Sequence, residues 1–478
     1  MTSPVSTQPM DPSGPTGRLC QWIDSMSLSD IPESIKTRAK YLILDGLTCA
    51  LVGAHLPWSE KATNAILSIE APGVSEVFGW ERKISPMSAA LLNSTFTQGF
   101  ELDDWHSEAP LHSNSIILPA LFAAASTRDS KTAGSSFLLA YLIGLEVGPR
   151  VGKALYGADI LTQGWHSGAV FGPSASAAAV SKLFSLNAAQ TEDALGIACT
   201  QACGLMSAQF ESEVKRMQHG FAARNGLLAA ILAKGGYLGI KKVYEREYGG
   251  FLEMFSKGNG RNPQFLIDEV TKGLGEKWQT ENVKIKPYSA MAATHGAIDC
   301  VRKLQAERPE EMKRLGDVEK IVLEMGEVEF HHGGFEVQRP LTSTGAQMSA
   351  KYVAVTQIVD GKVLPPSFRF DMLERDEVWS LVERTTCVLT SGLAKWGQRV
   401  TIAFKDGTKL SAEVAAPRGV KPDLSNEEIV AKWKDLTKGV INDARRDRIE
   451  KLCFGLEDLE DVMELSAELA GITNNPIA

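Results

Sequence analysis

The densest run of chemistry-bearing residues is Glu101-Leu102-Asp103-Asp104-Trp105-His106-Ser107-Glu108, with His112-Ser113 close behind. Four carboxylates and two imidazoles within twelve residues suit either metal binding or acid–base work. An apolar run, Ile116–Ala125, follows directly and reads as a buried helix, so His112 stands near the positive end of a core helix, where anions bind well. Gly164-Trp165-His166-Ser167-Gly168 repeats the arrangement, a histidine in a small-residue turn ahead of a tightly packed helix. In Val214-Lys215-Arg216-Met217-Gln218-His219-Gly220, two cations and a histidine precede another helix. Cations there oppose the helix dipole, so they make better sense beside a polyanionic ligand. Lys284-Ile285-Lys286-Pro287-Tyr288 adds two lysines that strand alternation puts on one face. Lys257-Gly258-Asn259-Gly260-Arg261 reads either as an anion cradle or as a solvated turn. Phosphate-loop, zinc-protease and nucleophile-elbow motifs do not occur. The groups that remain suit a small polycarboxylate in a cleft, with the chemistry supplied by side chains.

The elements that must position these groups divide in two. Up to about residue 280 the chain reads as helix. Asp30 and Pro32 start one, with Ile35, Ala39, Leu42, Ile43 and Leu47 at helical spacing. Asn187 and Gln190 form a capping-box pattern opening Glu192–Ala208. Ala169–Ala179 is crowded with Ala, Ser and Gly, so its neighbours can approach closely. Ala222–Ala233 stops at Gly235-Gly236. Near residue 280 the character changes: Val283–Tyr288 and Ile321–Met325 are strand-like, and Asp406-Gly407 between Val400–Phe404 and Thr408–Val414 is a hairpin signal. Ser425 with Glu428 then starts a helical return. The expected architecture is mainly α: a helical domain over 17–280, completed by 425–478, with a smaller α+β domain inserted at 281–424.

The chain has 478 residues, 50 Lys+Arg against 58 Asp+Glu, a net charge of −8 and 44% hydrophobic residues. That is a globular composition, and its mild acidity argues against nucleic acid or an anionic membrane as partner. No apolar run approaches the roughly 20 residues of a membrane-spanning helix. Residues 1–16 read as a frayed tail rather than a signal peptide or presequence. The seven scattered cysteines, Cys199 and Cys203 on a helix among them, read as buried free thiols in a reducing, cytoplasmic compartment.

The runs GFELDDWHSEAPLHSNSIILPA, GWHSGAVFG, DALGIACTQACGLMSAQ, VKRMQHGFAARNGLLAA and KIKPY resemble the MmgE/PrpD family, and within it the fungal members that decarboxylate cis-aconitate. The likeness is strongest from about residue 17 to about 290. It implies a helical domain with an α+β lid, a homodimer, no metal or organic cofactor, and a small tricarboxylate converted to itaconate and CO2. It further implies His112 as the central catalytic histidine, His166 as a second, Lys215 and Lys286 as holders of substrate carboxylates, and Tyr352 as a lid tyrosine near the site. Glu101 falls where relatives often carry aspartate, beside the substrate, and Asp103 and Asp104 match the rest of that acidic motif. The chain departs from the pattern at Ser289-Ala290-Met291, where many relatives have Pro or Ala and cysteines, and at Glu327–Gly334 with His331-His332.

Losing CO2 from cis-aconitate leaves electrons spread over an allylic system toward another carboxylate. The lysines would stabilise that enediolate, and a histidine would then protonate the carbon alpha to it. His112 is expected as the acid, with His166 orienting substrate or sharing protons and Asp103 or Asp104 tuning the histidines. Activity should then favour the acidic side. The same groups could instead dehydrate 2-methylcitrate or an alkylcitrate, or decarboxylate an alkylated aconitate. A non-catalytic homologue is the third reading.

Overall fold

The structure is a computed structural model describing residues 6–210 and 212–478. Pro32 occupies the N-cap of the helix Glu33–Gly53, and Ile35, Ala39, Leu42, Ile43 and Leu47 all face inward. Further helices span Pro86–Thr97, Ser113–Ser126, Gly134–Ala154, Ser167–Leu183 and Gln218–Lys234. Ser113–Ser126 and Ser167–Leu183 are buried around almost their whole circumference, as apolar, non-amphipathic helices must be. Small residues make that possible. A Cβ on Gly172 would stand 2.6 Å from Ile116 Cδ1, and one on Gly226 would stand 2.4 Å from the Ser176 Cβ. Gly134–Ala154 and Gln218–Lys234 consequently pack against Ser167–Leu183.

The Asn187–Gln190 capping box is present, but its helix runs from Ala188 only to Cys199. The expected continuation to Ala208 stops at Cys199, and Gly204 beyond it has a φ of 107° that no helix accommodates. Gly204 instead offers its carbonyl to the His166 N–H at 3.1 Å. Cys199 is therefore buried at a helix end and Cys203 is exposed in the loop; all seven cysteines are free.

Four strands form one sheet in the order Thr385–Leu389, Val318–Met325, Gln398–Phe404, Lys409–Val414. The first pair is parallel and the others antiparallel. Gly407, at a φ of 86°, turns the expected hairpin, with Thr408 N–H donating to Asp406 Oδ1 at 2.9 Å. Burial alternates strictly along Gln398–Phe404, and the helix His295–Glu307 covers that face. Val283–Tyr288 is not the strand its composition implies. Only Val283–Lys284 pairs, with Trp105–His106.

Ser425 and Glu428 cap the helix Asn426–Thr437, which packs on Glu33–Gly53, while Met463–Ala470 packs on Ser113–Ser126. The chain thus returns to the helical layer after the sheet. The first five residues of the expected tail lie outside the described residues; the rest of it is held in place. Met10 N–H donates to Glu192 Oε2 at 2.8 Å, Ala189 N–H donates to Thr7 O, and a helix already starts at Pro15. Among the described residues no single helix is long and apolar enough to cross a membrane.

Candidate active site

The loop between Pro86–Thr97 and Ser113–Ser126 carries the acidic cluster into a cleft. From mid-loop Asp104 caps the helix, its two carboxylate oxygens accepting from Ser113 N–H at 3.0 Å and Asn114 N–H at 2.9 Å. It faces the helix and not the cleft. Burial and the Asp103 charge raise it to about 7, while the Asn114 N–H favours its ionised form. By anchoring the helix start, Asp104 sets the place of His112, the N-cap residue.

Asp103 Oδ2 lies 2.9 Å from His112 Nδ1. Burial alone would raise the Asp103 carboxyl, but the His112 and Lys286 charges win and hold it down at about 2. With Nδ1 engaged, His112 keeps its other ring nitrogen for the cleft that it lines. His106 is turned away and works for the loop: its Nδ1 accepts from Ala109 N–H at 3.0 Å, and burial lowers it to about 3.

Glu101 sits at the centre of three cations. Lys215 Nζ touches its Oε1, Arg216 Nη1 reaches the same oxygen at 2.5 Å, and Lys286 Nζ is 3.2 Å from Oε2. Lys286 is also 3.8 Å from Asp103 Oδ1. Burial pulls both lysines below the ordinary lysine value, as each also feels Arg216; the Glu101 carboxylate opposes this and favours their charge. Glu101 is itself in the left-handed region, with a φ of 56°, a conformation that costs a non-glycine residue about 1 kcal/mol or more. Lys284 does not share the Lys286 face. The strand stops at Lys284, whose ammonium pairs with Asp423 at 2.8 Å.

His166 is the N-cap residue of Ser167–Leu183, and its Nδ1 is buried without a hydrogen-bond partner. Burial, then the nearby His112, lowers it to about 3, so its ring is neutral. Between His112 and His166 stands His219, with ring centroids 4.9 and 5.1 Å away. Ser115 Oγ donates to His112 O at 2.9 Å and so accepts from His219 Nδ1 at 2.7 Å, while Gln98 Nε2 stands 3.3 Å from His219 Nε2. Both ring nitrogens are spoken for, and burial keeps His219 neutral. Its part is to space and orient the other two rings.

The cleft has a volume of about 510 Å³. Glu101, His112, His166, Lys215 and Lys286 line it, with Leu161, Met206, Met291, Met348, Trp105 and Trp396 forming apolar walls. The rings of Trp105 and Trp396 approach to 5.0 Å. Glu329, His332 and Lys395 complete the lining from the sheet-bearing segment.

Tyr352 does not meet the cleft. It is wholly buried in the helix Ala350–Asp360, donates to Met372 O at 3.3 Å and packs against Trp379. Gln347, five residues earlier, reaches the site instead, accepting from Arg216 Nη2 at 2.8 Å. Nothing in the sequence marked Gln347, Gln98 or Trp396, whereas Arg216 and His219 stood in plain view beside Lys215. The 257–261 run is a turn. Its glycines adopt φ values of 78° and 70°, and its cations pair with Glu253 and Asp159.

Two domain profiles match the chain: MmgE/PrpD N-terminal domain over residues 17–264 and MmgE/PrpD C-terminal domain over 288–456. A cis-aconitate decarboxylase-like protein, oryM, of Aspergillus oryzae is 48% identical, covering 95% of this chain and 97% of its own. A cis-aconitate decarboxylase of Aspergillus terreus is 46% identical over 95% of both chains. The human cis-aconitate decarboxylase is 27% identical over 94% of this chain and 93% of its own.

Proposed function

The chain belongs to the MmgE/PrpD family, and from that premise we propose that it is a carbon–carbon lyase that converts cis-aconitate to itaconate and CO2. One observation carries the reading: His112, backed by Asp103, lines one cleft together with Lys215 and Lys286. The lysines hold two substrate carboxylates. The C–CO2 bond at the methylene carbon breaks, and its electrons form the new terminal double bond. The original double bond shifts its electrons onto the far carboxylate, giving an enediolate that the ammonium groups stabilise. His112, paired with Asp103, delivers one proton to the carbon alpha to that carboxylate. Itaconate and CO2 result, and His112 regains its proton from solvent. Neutral His166 orients the substrate. Side chains supply every group this route uses.

In this reading residues 17–280 and 425–478 make the helical body and 281–424 the lid. Packing of Asn426–Thr437 on Glu33–Gly53 supports that division. We take the enzyme to be a cytoplasmic homodimer. Seven free thiols fit a reducing compartment. Exposed Tyr237, Leu238, Tyr248 and Met254 fit a covered face between copies. Light scattering of the purified protein checks the dimer, and a monomer mass would exclude it.

A second reading rests on the apolar walls. Leu161, Met206, Met291 and Met348 have no work to do on a bare tricarboxylate, and they suit an alkyl-substituted aconitate. CO2 release from cis-aconitate and from an alkylated aconitate decides between the two. Release from the first at the higher kcat/KM supports the main reading, release from the second alone replaces it, and release from neither refutes both.

A further inference from the structure

Gln347 is wholly buried and joins three parts of the chain. From the short helix Ser343–Met348 its Nε2 donates to Phe100 O at 2.9 Å and to Ser289 O at 3.1 Å, while its Oε1 accepts from Arg216 Nη2. Phe100 O belongs to the peptide group leading into Glu101, the residue held at positive φ. Lys432, from Asn426–Thr437, holds the next-but-one carbonyl, Leu102 O, at 2.9 Å. The backbone around Glu101 is thus gripped on both sides by elements that follow the sheet-bearing segment's start.

An amide is the one side chain of this length that fits. Two carbonyl oxygens require two N–H donors, and a guanidinium requires an acceptor. A carboxylate would face both carbonyls with no proton to give. A thioether would leave all three partners unpaired in a buried place, at a cost for each. The Arg216 guanidinium is shared between Gln347 and Glu101, with Thr344 Oγ1 a distant third partner at 3.4 Å. Glu101 in turn is shared between Arg216 and the two lysines. What Gln347 takes from Arg216 therefore decides how far Glu101 leans on Lys215 and Lys286.

We infer that Gln347 is a positioning residue that, through Arg216 and Glu101, sets how much of the charge on Lys215 and Lys286 is left for the substrate carboxylates. It ties the seating of the sheet-bearing segment to the binding strength of the cleft. The inference rests on the decarboxylase reading for its natural substrate, but its test does not. Tricarballylate, a saturated tricarboxylate with no allylic route to CO2 loss, reports binding whatever the reaction.

Two near-isosteric variants pull in opposite directions. Gln347→Glu adds a second carboxylate to Arg216, so Glu101 leans harder on the lysines and tricarballylate binds at least tenfold more weakly. Gln347→Met leaves Arg216 to Glu101 and the distant Thr344, which draws Glu101 off the lysines. Tricarballylate then binds as tightly as to the unaltered chain or more tightly, while kcat falls about tenfold because the loop bearing Asp103 is unlatched. A purely structural role would move both variants the same way. The measurement is calorimetric titration with tricarballylate, with kcat and KM for cis-aconitate and thermal unfolding alongside. A loss of at least tenfold in Gln347→Glu with no loss in Gln347→Met supports the inference. Parallel losses, or changes under twofold in both, overturn it. If either variant does not fold, Gln347→Asn, which withdraws the amide by one methylene, should repeat the Gln347→Met split of KM against kcat, and a uniform loss overturns it. An unaltered chain that binds tricarballylate yet turns over no cis-aconitate refutes the decarboxylase reading and leaves this inference standing.

Discussion

Asp103→Asn removes one charge and keeps the shape of the side chain, so it isolates what the carboxylate does for His112. In the folded chain Asp103 sits at about 2 against an ordinary 3.8, despite a burial that pushes it the other way. Net of that burial penalty, a depression of this size favours the ionised carboxylate by about 2 kcal/mol, supplied by the neighbouring positive charges. His112, at 2.9 Å, contributes more of it than Lys286, at 3.8 Å. The same carboxylate lies 2.9 Å from His112 Nδ1, where it favours a proton on that nitrogen. Replacing it with an amide should lower kcat at neutral pH roughly ten- to a hundredfold. The alkaline limb of the kcat profile should move toward acid. KM should change less than kcat, because Glu101 keeps its contacts with Lys215 and Lys286. Itaconate formation followed from pH 5 to 8.5 gives both quantities. A lower kcat with the limb unmoved, or a limb moved toward alkali, would refute the assignment of Asp103 as the group that charges His112.

Further outcomes follow from the same geometry. His106, His166 and His295 each sit at about 3 because burial excludes the charged ring, against an ordinary 6.5. The unfolded chain then binds the extra protons, so stability is full above about pH 6.5 and declines as pH falls toward 3. At pH 5 each ring costs about 2 kcal/mol, and the thermal midpoint should drop steadily from pH 7 to pH 5; a flat midpoint would contradict the buried-neutral assignment. Lys432→Met strips the buried Asp45 of its partner at 2.6 Å and should cost about 3 kcal/mol in urea unfolding, most of it recovered by adding Asp45→Asn. Trp396→Ala removes the ring that meets Trp105. It should lower KM for an alkylated aconitate relative to cis-aconitate, and an unchanged ratio would mean the wall does not select.

The elements with local chemistry were legible in the sequence. Capping boxes at Asn187 and Ser425, the Asp406-Gly407 turn and the small-residue helix after His166 all stand where spacing puts them. Spacing brought out the polar clusters that hold Glu101, Asp103, His112, His166, Lys215 and Lys286, and the family resemblance picked these residues out within them. What was not legible depends on long-range contacts. Strand composition at Val283–Tyr288 yields two paired residues, because pairing needs a partner and Trp105–His106 offers only two. Tyr352 lies in a helix whose outward face is fixed by Trp379 and Met372, which no local pattern encodes. Gln347 and Trp396 are ordinary residues made important by a fold that brings them to Arg216 and Trp105.

The most direct test of the account is proton NMR of cis-aconitate incubated in D2O with the purified protein and with His112→Gln. The account predicts itaconate from the unaltered protein, carrying a single deuteron in the methylene between the alkene and a carboxylate, and a loss of at least a hundredfold in the folded variant. No itaconate, or itaconate formed equally well without His112, would contradict it.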